Sequence, residues 1–266
     1  MTQTEAERRE QLIEDVEYDF QLALNKGEHY LGNAVINFYL KELPSAGELF
    51  ISSQAMAVAE LRINDKEQTE KEAFQGQKIA LNPPLVVVGW NTVTVRYLTP
   101  YNKNSLGLHT FTDSKDNQQY LYSQFEVYNC FKVFPSFDQP GLKAKMALTM
   151  IVPKEWQAVS NGIETRYELS DGQKGLRIVE RHGIEWFLDF YDKDTEVSIC
   201  DFEQTPKIAP YLYAIIAGPY KVFEDYDPQC VPQRIFVRES LAENMRHETV
   251  FGVTKTTVAF YQRSFG

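Results

Sequence analysis

The amino-terminal third of the chain alternates apolar and polar residues with a period of two. In residues 16–24, Val16, Tyr18, Phe20, Leu22 and Leu24 are separated by acidic and polar side chains. This alternation predicts a half-buried β-strand. A turn-like segment at 25–28 (NKGE) and a second alternating run at 30–40 follow, so the pattern predicts a β-hairpin.

Short apolar runs separated by Gly, Pro, Asn and Asp continue through most of the chain. Runs of this length and spacing predict an all-β domain, a saddle-like antiparallel β-sandwich, and not βαβ units. The further predicted strands are residues 48–51, 57–63, 92–98, 145–152, 185–190 and 234–237.

The two ends of the chain differ from the rest in their pattern of charged and apolar residues. Residues 1–15 are rich in charge and predict a short arm with one or two helical turns. Near the other end, Val250, Val253, Thr257 and Phe260 recur every three or four residues, which predicts an amphipathic helix over 248–265. The predicted division is therefore an arm (1–15), a β-domain (16–219) and the beginning of an α/β or mainly α domain (220–266).

Composition excludes some classes of partner. The net charge of −10 and the pI near 5.0 argue against nucleic acid, because phosphate binding requires a basic surface. The longest apolar stretch, residues 211–218, is too short to span a bilayer, and the charged first fifteen residues do not resemble a signal peptide. Cys130, Cys200 and Cys230 form no C-x-x-C pair, as expected of reduced thiols. We therefore expect a soluble cytoplasmic protein without a membrane partner.

Gln124 and Glu126 are the strongest candidate site residues. In an extended segment, side chains two positions apart share one face. A carboxylate can pair with a primary ammonium and a carboxamide can add an oriented hydrogen bond, so the pair could bind a free peptide amino terminus. The alternative is that both are ordinary surface-facing strand residues.

Several sequence blocks then resemble the amino-terminal domain of the aminopeptidase N family of zinc metallopeptidases, in its actinomycete form. The blocks occur in the family's order: residues 120–126 (YLYSQFE), 137–140 (FDQP), 153–156 (PKEW), 159–162 (VSNG), 211–214 (YLYA) and 217–220 (AGPY). The resemblance implies that Gln124 and Glu126 hold the α-amino group of a peptide substrate. It also implies an all-β saddle domain that leads into a thermolysin-like catalytic domain carrying the zinc.

The chain departs from the family pattern in two places, and its one His-Glu pair does not complete a zinc motif. Residues 128–132 (YNCFK) replace the usual Asp-Ala-Arg segment, and Gly141 replaces an acidic residue after the FDQP turn. His247-Glu248 is followed by Phe251 where a zincin helix needs its second histidine, and His29, His109 and His182 have no second ligand at metal spacing. We therefore expect no cofactor and no peptidase activity in this chain alone.

A second hypothesis follows from these departures. The chain could be a truncated or degenerate non-catalytic paralogue that serves as a binding or assembly subunit. The Val250, Val253 and Phe260 face of the terminal helix would then be covered by a protein partner.

Overall fold

We analysed the protein as a computed structural model, which describes residues 2–69, 74–169, 183–191, 195–228 and 230–266. Strands make up 42% of the structure and helices 18%, so the predicted all-β class is confirmed. The strands are β1 (Ile13–Ala23), β2 (His29–Leu40), β3 (Phe50–Ser52), β4 (Ala57–Ile63), β5 (Lys66–Glu67), β6 (Phe74–Gln75), β7 (Lys78–Ala80), β8 (Gly89–Pro100), β9 (Gly107–Thr112), β10 (Gln119–Gln124), β11 (Ala144–Pro153), β12 (Gln157–Val159), β13 (Glu164–Glu168), β14 (Val197–Phe202), β15 (Ile216–Gly218), β16 (Lys221–Asp225) and β17 (Gln233–Val237). The helices are α1 (Gln3–Leu12), α2 (Glu185–Leu188) and α3 (His247–Phe265).

The largest sheet has eight strands in the order β13-β14-β11-β1-β2-β8-β4-β5. The predicted hairpin is confirmed as β1 and β2, which pair antiparallel with Phe20 opposite Ala34. The neighbours β1 and β11 run parallel, unlike the other described strand pairs of this sheet, which have the predicted antiparallel arrangement. Smaller sheets have the orders β12-β15-β10-β9, β3-β7-β6 and β16-β17.

Aromatic side chains join the eight-stranded sheet to the segment after β10. The ring of Phe20 stacks on that of Phe134 with centroids 3.9 Å apart, and Phe38 meets Phe137 edge to face at 5.1 Å. All four side chains are completely buried. Burying aromatic groups of this size supplies much of the hydrophobic free energy of a core. The segment that precedes and includes the FDQP turn is therefore fixed by the main core.

The charged amino-terminal segment forms a longer and better-packed helix than the sequence predicted. Helix α1 begins with a capping box between Thr2 and Glu5 and continues to Leu12. Arg9 and Leu12 are buried against the sheets, and β1 starts at Ile13, three residues before the predicted strand. The segment is thus part of the packed structure.

The strand predicted at 185–190 is wrong, because residues 185–188 form the short helix α2. Its apolar residues Ile184, Phe187 and Tyr191 follow a spacing of three and four, and all three are buried in a second core cluster. The nitrogen of Phe187 donates to the carbonyl of Ile184 within the same turn. A helical period therefore accounts for the burial here, and a period of two does not.

The predicted carboxy-terminal helix is confirmed as α3, which starts one residue earlier than expected. It contacts β16 through His247, whose ring stacks on that of Phe223 at 4.3 Å and also meets the ring of the buried Phe251. Lys255 pairs with Asp225 and Asp227, at 2.7 and 3.0 Å between nitrogen and oxygen. Among the residues that the structure describes, no helix is long and apolar enough to cross a membrane.

Candidate functional site

Gln124 and Glu126 are the two sequence neighbours of one buried residue, Phe125. Gln124 is the last residue of β10, whereas Glu126 lies just beyond the end of the strand, in a turn that begins with a cis peptide bond to Val127. Phe125 is buried in the main core, and both of its polar neighbours are exposed. The expectation of an extended strand is therefore correct for Gln124 but not for Glu126. The alternation of exposed and buried side chains reaches Glu126 and ends there, because Val127 is exposed as well.

The backbone around Glu126 is held by Asn129, which sequence reasoning had counted only among the departures from the family pattern. The Nδ2 atom of Asn129 donates to the Glu126 carbonyl at 2.9 Å, and its backbone nitrogen donates to the Phe125 carbonyl at 3.0 Å. An asparagine that bonds to nearby backbone in this way stabilises a turn. Asn129 thus holds the loop that carries Glu126 through both its side chain and its backbone.

The two candidate side chains have no competing partner within the described part of the protein. The carboxamide of Gln124 and the carboxylate of Glu126 make no hydrogen bond or ion pair with any described residue. Both are exposed, so forming a contact with a ligand would break no internal interaction. The arrangement supplies an anionic acceptor and a neutral donor–acceptor group at the end of one strand.

Asp138 lies behind this loop and was missed as a positioning residue, although the FDQP block contains it. Its Oδ2 atom accepts a hydrogen bond from the backbone nitrogen of Phe131 at 3.0 Å, in the 3-10 turn Cys130–Lys132. Burial raises the pKa of Asp138 to about 6, although the backbone bonds and the charge of Arg9 act in the opposite direction. The raised pKa of Asp138 therefore follows from the burial of the turn that contains it.

Arg9 supplies a buried positive charge near the same turn. Its guanidinium lies 4.3 Å from the centroid of the Phe50 ring and 5.7 Å from that of Phe137, and its Nη2 atom donates to the Phe50 carbonyl at 3.1 Å. Burial lowers the pKa of Arg9, but an arginine remains protonated in proteins. The sequence offered little sign of this role, because Arg9 occurs in a segment whose other charged residues are mostly exposed.

The histidines do not form a metal centre in the described residues. His247 stacks on Phe223, and the fourth residue after it, Phe251, is buried and cannot bind a metal. The Nδ1 atom of His109 accepts a hydrogen bond from the backbone of Ser105, and His182 lies outside the described residues. No group of three His, Cys, Asp or Glu side chains in the described ranges could hold a metal ion. We therefore assign no metal-dependent step to these residues.

Comparison with known proteins agrees with the resemblance in the sequence blocks. The family model for the Peptidase M1 N-terminal domain matches residues 14–180. Aminopeptidase N of Streptomyces lividans is 33% identical over 272 residues, which cover 100% of this chain and 28% of the relative. Aminopeptidase N of Acetobacter pasteurianus is 25% identical over 69% of this chain and 45% of its own length. The chain thus spans less than half of the length of both relatives.

Proposed function

The chain belongs to the M1 peptidase family, and from this we propose that it is the part of a zinc aminopeptidase that recognises the amino terminus of a peptide substrate. In this proposal the Glu126 carboxylate pairs with the α-ammonium group and the Gln124 carboxamide adds a directed hydrogen bond. The observation that carries the proposal is that both side chains are exposed at the end of β10 and have no partner among the described residues. The names of the two relatives support the same activity class.

Such a site would select for chain ends. Along the peptide backbone only the first residue carries an ammonium group, whereas the internal backbone nitrogens are neutral amides that cannot form an ion pair. The α-amino group titrates with a pKa of about 8, so binding should weaken as the pH rises above that value. Acetylation of the peptide removes the same charge at constant pH.

The experiment is a titration of the isotope-labelled chain with Ala-Ala-Ala amide and with its N-acetyl form, followed by NMR. We expect the free peptide to bind about tenfold more tightly, as a charge-assisted hydrogen bond would provide. Glu126→Gln should remove this preference, and Glu28→Gln, at a side chain that is 73% exposed and pairs with Lys103, should retain it. Equal binding of the two peptides by the unmodified chain would falsify the proposal.

We propose further that this chain alone binds no catalytic zinc and cleaves no peptide. The proposal is supported by the lack of any group of three His, Cys, Asp or Glu side chains able to hold a metal ion among the described residues, and in it the metal would be held by the part of the enzyme that corresponds to the rest of the relatives' length. Stoichiometric zinc together with hydrolysis of an aminoacyl anilide by this polypeptide would contradict this. Because all three cysteines are free, we also propose that the protein works in the cytoplasm.

The second candidate function is that of a non-catalytic assembly subunit, and the outer face of α3 favours it. Val250, Val253 and Phe260 are 42%, 62% and 55% exposed, so a row of apolar side chains faces away from the hairpin. In this second proposal, a protein partner covers this row of side chains in an assembly. Sedimentation of the isolated chain tests it: self-association that Val253→Lys abolishes supports the proposal, and a stable monomer opposes it.

A further inference from the structure

A cleft of about 420 Å³ opens beside β10, between the sheet β12-β15-β10-β9 and the residues that follow β17. Its walls are mainly aromatic. They include Phe111 of β9, Tyr120 and Tyr122 of β10, Tyr220, Phe236 of β17 and Arg238. A volume of this size is within the range of sites that bind small molecules or single side chains. No residue of the cleft is needed for the amine site proposed above.

The walls of the cleft are held in place by polar groups outside it. The hydroxyl of Tyr120 donates to Asp116 at 2.6 Å and accepts a hydrogen bond from the backbone nitrogen of Glu239 at 3.2 Å. The rings of Tyr120 and Tyr220 meet edge to face at 4.9 Å. The cleft is therefore formed before a ligand arrives, which lowers the entropic cost of binding.

Charge in the cleft is balanced. The Nη1 atom of Arg238 lies 2.8 Å from Asp113, and the guanidinium lies 4.7 Å from the centroid of the Phe111 ring. Because Asp113 already neutralises this arginine, the described residues that line the cleft offer no free cation to a carboxylate or phosphate. Aromatic walls without net charge favour an apolar or aromatic group.

The cleft extends along β10 as far as Tyr122, two residues before Gln124 of the proposed amine site. Tyr122, which is 40% exposed, precedes Gln124 by two residues, and both side chains project away from the core that contains Leu121 and Phe125. Two residues of strand span roughly 7 Å, and alternate residues of an extended peptide have the same spacing. A peptide whose amino nitrogen lies at Gln124 and Glu126 would therefore bring its third residue to Tyr122.

We propose that this cleft binds the third side chain of a peptide substrate and prefers an aromatic or large apolar residue there. The proposal rests on the proposed function, because the amine site sets the position of the peptide. It adds a preference for sequence to a site that otherwise recognises only a charged chain end.

The test compares three amidated peptides by NMR titration of the intact 266-residue chain: Ala-Ala-Ala, Ala-Ala-Phe and Phe-Ala-Ala. We expect Ala-Ala-Phe to bind about tenfold more tightly than Ala-Ala-Ala, the effect of one buried aromatic anchor. Phe-Ala-Ala has the same composition as Ala-Ala-Phe and should lack most of this gain. Signals of Phe111 and Tyr122 should shift only with the third-position aromatic.

Matched variants distinguish binding in the cleft from nonspecific binding to exposed apolar side chains. Tyr122→Ala should remove the preference for Ala-Ala-Phe, and Tyr39→Ala should not. Tyr39 is 37% exposed on β2 and contacts one ring, that of Trp90, much as Tyr122 contacts His109. A far-ultraviolet circular dichroism spectrum and a urea midpoint close to those of the parent chain would show that each variant is folded.

The outcomes distinguish the two proposals. If acetylation weakens binding but all three free peptides bind equally, the cleft proposal is overturned and the amine site stands. If acetylation has no effect, the amine site is overturned, and with it the alignment that brings a third residue to Tyr122. A preference for Phe-Ala-Ala over Ala-Ala-Phe would also overturn the cleft proposal.

Discussion

The carboxylate of Asp138 accepts a hydrogen bond from the backbone nitrogen of Phe131, with a distance of 3.0 Å between Oδ2 and nitrogen. Through this bond the FDQP turn fixes the 3-10 turn that follows the loop of Glu126. Tyr18 adds a second anchor, since its hydroxyl accepts a hydrogen bond from the nitrogen of Phe137 at 2.9 Å. The loop that carries the candidate carboxylate is thus tied to the main sheet through buried polar contacts.

Asp138 should make the stability of the protein depend on pH in the weakly acidic range. Its pKa is raised from 3.8 to about 6 in the folded state, so the folded protein binds this proton more tightly than the unfolded chain does. This contribution is present below about pH 4 and is lost as the pH rises to about 6, an effect of about 3 kcal/mol. Urea unfolding of the parent and of Asp138→Asn between pH 4 and pH 7.5 measures it.

Relative to Asp138→Asn, we expect the free energy of unfolding of the parent to fall between pH 4 and about pH 6. From there to pH 7.5 the difference between the two should stay constant. Asp65→Asn is the control, because Asp65 is exposed in a turn with a φ of 63°, a conformation that asparagine also adopts readily. A constant difference between the parent and Asp138→Asn at every pH would show that the buried carboxyl does not titrate in this range.

Arg9 should contribute much more to stability than its neighbour Arg8. Arg9 is 1% exposed and bonds to the Phe50 carbonyl, whereas Arg8 pairs with Glu42 and Glu48 at the surface. A hydrogen bond to a charged group typically contributes about 1.5–3 kcal/mol, and the contacts of Arg9 with the Phe50 and Phe137 rings add to it, whereas exposed ion pairs contribute little. Urea unfolding of Arg9→Ala and Arg8→Ala compares the two, and equal losses would mean that α1 contributes little to the core.

How far the sequence could predict this structure depended on which residues faced the solvent. The hairpin β1–β2 was predictable because its outer positions are polar, so the period of two was visible. Of strand β10 only the end at Gln124 was expected to be extended, because the exposed face of the strand carries Tyr122 and its buried face Leu121, both of them large. The aromatic residues that hide the alternation are those that line the cleft.

The candidate site was predictable only in part, because some of its residues are brought together by tertiary packing and not by local spacing. Gln124 and Glu126 stand two positions apart in the sequence, so their common face could be proposed from the period of a strand. Arg9 and Asp138 are separated by more than a hundred residues, and their proximity depends on the tertiary packing of α1 against the sheets. Local patterns carry no information about such a contact.

Gly32 should be intolerant of any side chain. A β-carbon built there would overlap the buried ring of Tyr97, whose hydroxyl is fixed by a 2.9 Å bond to the Val133 carbonyl. We expect Gly32→Ala to lower the free energy of unfolding by about 1–3 kcal/mol, as overpacking does. Gly252→Ala in α3 meets no atom within 4 Å and should raise it by about 0.5–1 kcal/mol. Thermal unfolding of both variants decides whether the space at Gly32 is as restricted as the structure shows.

Asp113 should hold the residues after β17 against the sheet that contains β10. Its carboxylate accepts hydrogen bonds from Ser240 at 2.6 Å and from Arg238 at 2.8 Å. The Ser240 hydroxyl, the Lys115 backbone nitrogen and the charge of Arg238 lower the pKa of Asp113 below 3.8. The stabilisation is therefore present above the pKa of the unfolded chain and is lost as the pH falls through the lower pKa of the folded state.

Hydrogen exchange of the backbone amides in β16 and β17, corrected for intrinsic rates, measures this attachment. At pH 6.5, Asp113→Asn should lower protection in the hairpin and leave β1 and β2 unchanged, because the anion that Arg238 and Ser240 bind is lost. Asp189→Asn, at an exposed residue after α2, should change neither region. If Asp113→Asn lowered protection equally in β1 and β16, the ion pair would stabilise the whole fold and not the wall of the cleft in particular.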